Sequence, residues 1–259
     1  MAEFETVRRA GAGAGVRTAQ IDEGLRAHMN SVYGLMAGAM VITGLAAWAI
    51  AGLAVSSEPT AYQIGPDKWL TAFGAALYTS PLKWVVMLLP LAFVFGISAG
   101  INRLSTAAAQ LIFYGFALAM GASISSIFLV FTNSSIAQVF FITAIAFASL
   151  SLWGYTTKRD ISGWGSFLIM GVVGLVAAML VNLWLRSPGL EFAVSAIGVL
   201  IFAGLTAYDT QNIKNTYLQM RAADGEAYLG KAAIMGALSL YLNFINMFMM
   251  LLSLFGQRE

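Results

Sequence analysis

Ser195-Ala-Ile-Gly-Val-Leu-Ile-Phe-Ala-Gly-Leu-Thr-Ala-Tyr-Asp209 runs fourteen residues without a charge and then ends on an acid. It lies in an apolar run over residues 190–212, after which Ile213 and Lys214 follow. About 20 apolar residues in a helix cross a hydrocarbon core of about 30 Å, so the run has transmembrane length. Working outward, six further runs of this kind cover residues 32–55, 83–102, 107–131, 135–154, 164–185 and 233–255. A membrane β-strand would be about 10 residues long and would alternate apolar with polar residues, which these runs do not do. The expected fold is therefore all-α and polytopic, with seven transmembrane helices over residues 32–259. Residues 1–31 are expected to form a cytoplasmic tail with a short amphipathic segment.

Composition points the same way. Of 259 residues, 59% are hydrophobic and 10% are charged, against about 25% charged in soluble domains. A formal net charge of +2, scattered between apolar runs, excludes a nucleic-acid footprint. The chain has no Cys and one His, which excludes a disulfide framework, a thiolate metal site and an iron–sulfur cluster. The first run is too long for the core of a cleaved signal peptide and is read as a retained helix.

Orientation follows from the basic residues, because cytoplasmic segments carry the excess. With the N-terminus inside, the inner set is Arg8, Arg9, Arg17, Arg26, Arg103, Lys158, Arg159, Lys214, Arg221 and Lys231. The outer set is Lys68, Lys83, Arg186 and Arg258. The C-terminus is then outside, unless the last run re-enters without crossing and leaves both ends in the cytoplasm.

Several local features carry structural expectations. Residues 67–79 place Trp69, Phe73 and Leu77 at four-residue spacing, and residues 18–31 do the same with Ile21, Leu25 and Met29. Both read as short amphipathic helices at an interface or against the bundle ends. Gly34 with Gly38, and Gly96 with Gly100, have the spacing that lets helices approach closely in lipid. Pro90 should kink the second helix.

An ionisable group inside a span is costly and needs a partner, a cavity or a role. Asp209 is the clear case. Its α-carbon falls about 27 Å along a helix counted from Glu191, near the cytoplasmic end of the hydrocarbon layer. Arg103, at the end of the second run, has similar depth and is the expected cation of an inner latch. The alternative is that Asp209 caps its helix or reaches to the interface. On the last run Ser239, Asn243 and Asn246 share one helix face. Amides turned to lipid would lack partners, so this face should point into the bundle. There Asn243 either lines a cavity with Asp209 or hydrogen-bonds across helices as glue.

Enzymatic chemistry finds no support, and no cofactor is expected. His28 lies outside the seven runs and no His/Glu pair has metal-ligand spacing, so metalloprotease chemistry lacks its residues. Serine proteolysis lacks a base inside the membrane. No Lys sits deep in a run to hold a retinal Schiff base.

The segment Leu205-Thr-Ala-Tyr-Asp209-Thr-Gln-Asn-Ile-Lys214, with Ala237-Leu-Ser-Leu-Tyr-Leu-Asn-Phe-Ile-Asn-Met-Phe248, resembles the signature of the Bax inhibitor-1 family. The segment Ile21 to Tyr33 is similar to the corresponding part of its bacterial members. The resemblance implies six helices around a central seventh in a bacterial inner membrane. It also implies a pH-sensitive calcium leak gated by two aspartates on the last two helices, with a basic residue at the position of Arg103. Asp209 matches the first aspartate, whereas Asn243 stands at the second. Two adjacent carboxylates titrate as a coupled pair, and an Asp beside an Asn does not. The expectation is therefore weaker pH gating and at most transient calcium binding at Asp209, with Asp209, Asn243, Arg103 and Asn246 lining the gate. Besides the lipid bilayer and calcium, a membrane protein partner is expected under an alternative role. In that role the chain would regulate another complex, such as a membrane-bound quality-control protease, through its Gly-, Ala- and Arg-containing tail. A proton-coupled transporter is less well supported, because no internal repeat or interrupted helix pair is visible.

Overall fold

The computed structural model describes residues 2–65, 68–222 and 228–258, with side chains described from residue 22 onward within the first helix. The chain forms α1 (Ala2–Ala54), three short strands β1 (Val55–Ser56), β2 (Gln63–Gly65) and β3 (Lys68–Leu70), and α2 (Ala72–Tyr78). There follow α3 (Leu82–Gly100), α4 (Thr106–Ile124), α5 (Ile127–Val130), α6 (Asn133–Thr156), α7 (Trp164–Leu185), α8 (Pro188–Ala222) and α9 (Leu229–Phe255). Among the described residues, seven helices are long and apolar enough to span a membrane: Asp22–Ala54 of α1, α3, α4 continued by α5, α6, α7, α8 and α9. Hydrocarbon offers no partner to backbone N–H and C=O groups, and a helix satisfies them within itself.

The bundle wears its apolar side outward. Leu111, Phe167 and Trp184 are exposed large side chains on α4, α7 and α7, as lipid contact requires and water contact would penalise. Trp84 and Trp184 stand at helix ends on one side of the bundle, and Trp153 stacks on Trp164 with ring centroids 6.2 Å apart at the other. Tryptophans at both ends are the pattern of an aromatic belt.

Three layers account for the helix order. α9 is the most buried span and packs against α1, α4, α6 and α8. α3 and α7 are the least buried, packing mainly on α4 and α8 respectively. The seventh helix is thus central, with α3 and α7 forming an outer layer. Its core includes Leu240, Tyr241, Met247 and Leu252, all essentially inaccessible, together with Phe113 and Phe116 of α4. Phe116 meets Tyr241 edge-on at 5.0 Å.

Two helices outrun their apolar stretches. α1 passes through residue 31 without a break, and Leu25 and Met29 are buried against the bundle; the side chain of Ile21 lies outside the described residues. α8 continues ten residues past 212, because its polar side chains find partners there. Gln211 Nε2 donates to Arg159 O at 2.8 Å and its Oε1 accepts from Ile161 N at 3.0 Å, while Lys214 Nζ donates to Tyr155 O at 3.0 Å. These bonds fasten α8 to the α6–α7 turn. α9 is one uninterrupted helix of 27 residues, about 40 Å long. Its end pairs with the opposite side of the bundle, where Gln257 N donates to Ser135 Oγ and Thr132 N to Gln257 O. The last helix therefore crosses and does not re-enter.

The segment 67–79 is not one amphipathic helix. Trp69 belongs to β3, in the sheet order β1-β3-β2, and only Ala72–Tyr78 is helical. Thr71 caps α2 by accepting from Gly74 N, and its own hydroxyl donates to Leu53 O. Leu77 is buried but Phe73 is exposed, so the expected face is not shared. Asp67 lies outside the described residues.

The close helix approaches also fall elsewhere than expected. A Cβ added at Gly34 or Gly96 would meet nothing within 4 Å, and at Gly38 or Gly100 only ordinary contacts. The tight crossings are at Gly121, where a Cβ would lie 2.6 Å from Thr43 O of α1, and at Gly154, where it would lie 2.3 Å from Ala207 O of α8. α3 runs through Pro90 as one helix, with Pro90 buried.

Candidate gate at the α8–α9 crossing

Asp209 sits on α8 two residues past Ala207, the residue that Gly154 of α6 lets approach. Across the gap, Asn243 of α9 is buried and donates its Nδ2 to Asp209 Oδ2 at 2.7 Å. This is a charge-assisted geometry whenever the acid is ionised. The two outcomes left open for Asn243 therefore merge, since it is both a cross-helix bond and a partner of the intramembrane acid.

The half-buried Asp209 side chain borders a cavity of about 270 Å³. Polar groups from three helices converge on it: His28 of α1, Asn212 and Thr216 of α8, and Lys231 and Ser239 of α9. His28 was expected outside the spans. It lies within the continuous α1, buried, with its ring 5.1 Å from that of Tyr217. The signal was hidden because the apolar run begins only at residue 32, after the helix has already entered the bundle. Asp209 is the one carboxylate lining the cavity among the described residues, which contain no cluster of three or more His, Cys, Asp or Glu side chains. Calcium takes six to eight oxygen ligands, toward which the described lining of this cavity offers one carboxylate.

Arg103 does not meet Asp209. It lines a separate groove with Leu89, Phe93 and Gly100, between α3 and α4, and makes no ion pair among the described residues. Depth placed the two residues at one level, but the layering places α3 on α4 while α8 packs on α6, α7 and α9. The cation in the Asp209 cavity is Lys231, whose Nζ donates to Asn102 O at 3.3 Å and lies over the Tyr228 ring. Asn246 also departs from expectation. Its Nδ2 donates back to Leu242 O at 2.8 Å within its own helix, so of the α9 stripe Ser239 and Asn243 serve the site.

Two hydroxyl links were not legible in the sequence. Tyr33 of α1, Ser151 of α6 and Thr210 of α8 form a chain with spacings of 2.7 and 2.9 Å, and Thr210 donates onward to Thr206 O at 2.7 Å. Each hydroxyl has one proton, so the chain runs from Tyr33 to a backbone carbonyl and ties three helices beside Asp209. Elsewhere in the core, Thr43 of α1 donates to Ala117 O of α4 at 2.9 Å, which leaves the Tyr241 hydroxyl of α9 to donate to Thr43 at 2.7 Å. Spacing signals miss both because the partners are far apart in the chain.

These features define a class: a seven-helix integral membrane protein with a central last helix and, among the described residues, an acid of α8 paired to an amide of α9 near one end of its core. The chain belongs to the Bax inhibitor-1 family, whose model, described as inhibitor of apoptosis-promoting Bax1, matches residues 25–259. It is 42% identical over 237 residues to the inner membrane protein YbhL of Escherichia coli K12, covering 91% of this chain and 94% of that one. It is 40% identical over 238 residues to the protein RP147 of Rickettsia prowazekii, covering 92% of both chains. A membrane protein of Streptococcus pyogenes, SpyM3_0260, is 39% identical over 163 residues, or 63% of this chain and 69% of that one.

Proposed function

We propose that the protein is a passive cation leak, with calcium as the permeant ion, closed at the Asp209–Asn243 bond. The single observation that carries this reading is that bond, which joins the two helices at the base of a polar cavity. Past it α9 continues in the buried side chains of Met247, Phe248 and Leu252, so separation of α8 from α9 is the motion that would open a path. The reading involves no chemical step. It places the chain in a bacterial inner membrane, with the N-terminus cytoplasmic and the C-terminus outside. The excess of Lys and Arg in alternate connections supports that orientation.

One acid bonded to an amide titrates as a single group, so flux should vary smoothly with pH through one shallow step. Asn243→Asp sets a second acid against Asp209 and should add a second step. Calcium entry into liposomes carrying the purified protein, followed from pH 6 to 8, tests both statements. Wild type should exceed empty liposomes, and Asp209→Ala should change the rate and flatten its pH dependence. Flux equal to that of empty liposomes in wild type, appearing only in Asn243→Asp, would sink the leak for the native chain.

The packed core past Asn243 favours a second reading, in which the chain does not conduct but regulates a membrane protein partner such as a quality-control protease. Its N-terminal tail would supply the contact. Deleting residues 1–20 should then abolish partner capture and leave flux at the background level.

A further inference from the structure

A crevice runs along the bundle between α1 and α6, helices that share no extensive packing with each other. Its larger part is a cavity of about 700 Å³, lined by Val41 and Gly44 of α1, Ala137 and Phe141 of α6, and floored by Phe244 and Phe248 of α9. Val41 and Phe141 are exposed, so the crevice opens sideways. In a membrane that side faces acyl chains. Toward the end that carries the α6–α7 turn, a second cavity of about 390 Å³ lies between the same two helices. Here the lining changes to Arg26, Asn30, Tyr33, Ser151 and Tyr155, with Phe147 and Leu152 as apolar walls.

The order of chemistry along the crevice is that of a phospholipid. Tyr33 lies about 10 Å along α1 from Arg26, and Gly44 about 16 Å further. Arg26 is exposed and makes no ion pair among the described residues, and the Asn30 amide donates to no group among them. Lys214 lies over the Tyr155 ring at 5.3 Å and adds a second positive charge beside the mouth. The Tyr33–Ser151 bond bridges the two helices where the polar part gives way to the apolar part. Basic pockets between spans are the places where anionic head groups settle, and both cavities fall within the ~300–1,000 Å³ range of ligand sites.

We infer that the α1–α6 crevice holds an anionic phospholipid, its phosphate on Arg26 with Asn30 and Tyr155, and an acyl chain in the apolar cavity over Phe244 and Phe248. The site is distinct from the Asp209 cavity and is independent of whether the chain conducts cations.

The full-length protein, reconstituted in vesicles of equal phosphatidylglycerol and phosphatidylcholine and analysed by native mass spectrometry, tests this inference. Wild type should retain phosphatidylglycerol in preference to phosphatidylcholine. Arg26→Ala should lower that preference about fivefold, the worth of one basic residue near a charged lipid. Because Arg26 is exposed and unpaired among the described residues, the variant should fold. Arg103→Ala, on the groove between α3 and α4, should leave the preference unchanged. Ala137→Trp, which fills the apolar cavity, should reduce retention of both lipids. Retention of the full preference in Arg26→Ala, or an equal loss in Arg103→Ala, would overturn the assignment. So would displacement of the lipid by soluble glycerol phosphate, which would make the crevice a site for a free phosphate.

Discussion

Replacing Gly154 by Leu should lower the melting temperature in detergent by about 6–12 °C and deplete folded protein from the membrane. The position is set by the α6–α8 crossing. Even a methyl group would lie 2.3 Å from Ala207 O and 2.9 Å from Ala207 Cα, and both obstacles are backbone. A flexible side chain can swing aside, but a helix must translate. Overpacking of this kind costs about 1–3 kcal/mol where side chains can yield and more where they cannot. Displacing α8 here would also move Asp209, two residues on, away from Asn243. Gly96→Leu provides the contrast. A Cβ there meets nothing within 4 Å, on a helix that is barely buried, so its melting temperature should stay within about 2 °C of wild type or rise with the better helix propensity. Equal losses in the two variants would show that glycine matters for helix flexibility and not for the crossing.

Tyr241→Ala should destabilise the protein by about 3–5 kcal/mol, the range for emptying a fully buried aromatic site. The ring is inaccessible, packs edge-on against Phe116 at 5.0 Å and near Phe113 at 6.2 Å, and its hydroxyl bonds Thr43 at 2.7 Å. Removing the side chain leaves a void where α1, α4 and α9 meet. Tyr241→Phe keeps the ring and removes only the hydroxyl. Thr43 retains Ala117 O as a partner at 2.9 Å, so the loss should be nearer the ~1 kcal/mol of a single hydrogen bond. Unfolding of detergent-solubilised protein in increasing denaturant, followed through tryptophan emission, measures both. Similar losses for Ala and Phe would mean that the hydroxyl, and not the packing, holds the centre.

The residues differ in how far their placement could be read in advance. Asp209 stood out because a charge ending a long apolar run has a cost whatever surrounds it. Asn243 stood out for the related reason that an amide cannot face lipid. The cost of burying a group depends on depth along one helix, and depth can be counted along the chain. Arg103 shows where counting stops. It shares the depth of Asp209 but sits in the outer layer on α4, and depth contains no information about angle around the bundle axis. The glycine pairs failed in the same way. Gly34 and Gly96 have the spacing of a packing face but look into open space, while Gly121 and Gly154 sit at the crossings.

Length and apolar runs were enough to determine seven membrane-crossing helices and to single out Asp209 as an intramembrane acid, because transfer between water and hydrocarbon is a local property of each segment. Tertiary structure alone decided that His28 and Lys231 border the Asp209 cavity and that Asn243 and not Arg103 holds its carboxylate. In lipid, apolar side chains gain little from choosing one apolar neighbour over another. Partner choice therefore rests on steric fit and on hydrogen bonds between residues 34 to 198 positions apart, and those are properties of the assembled bundle.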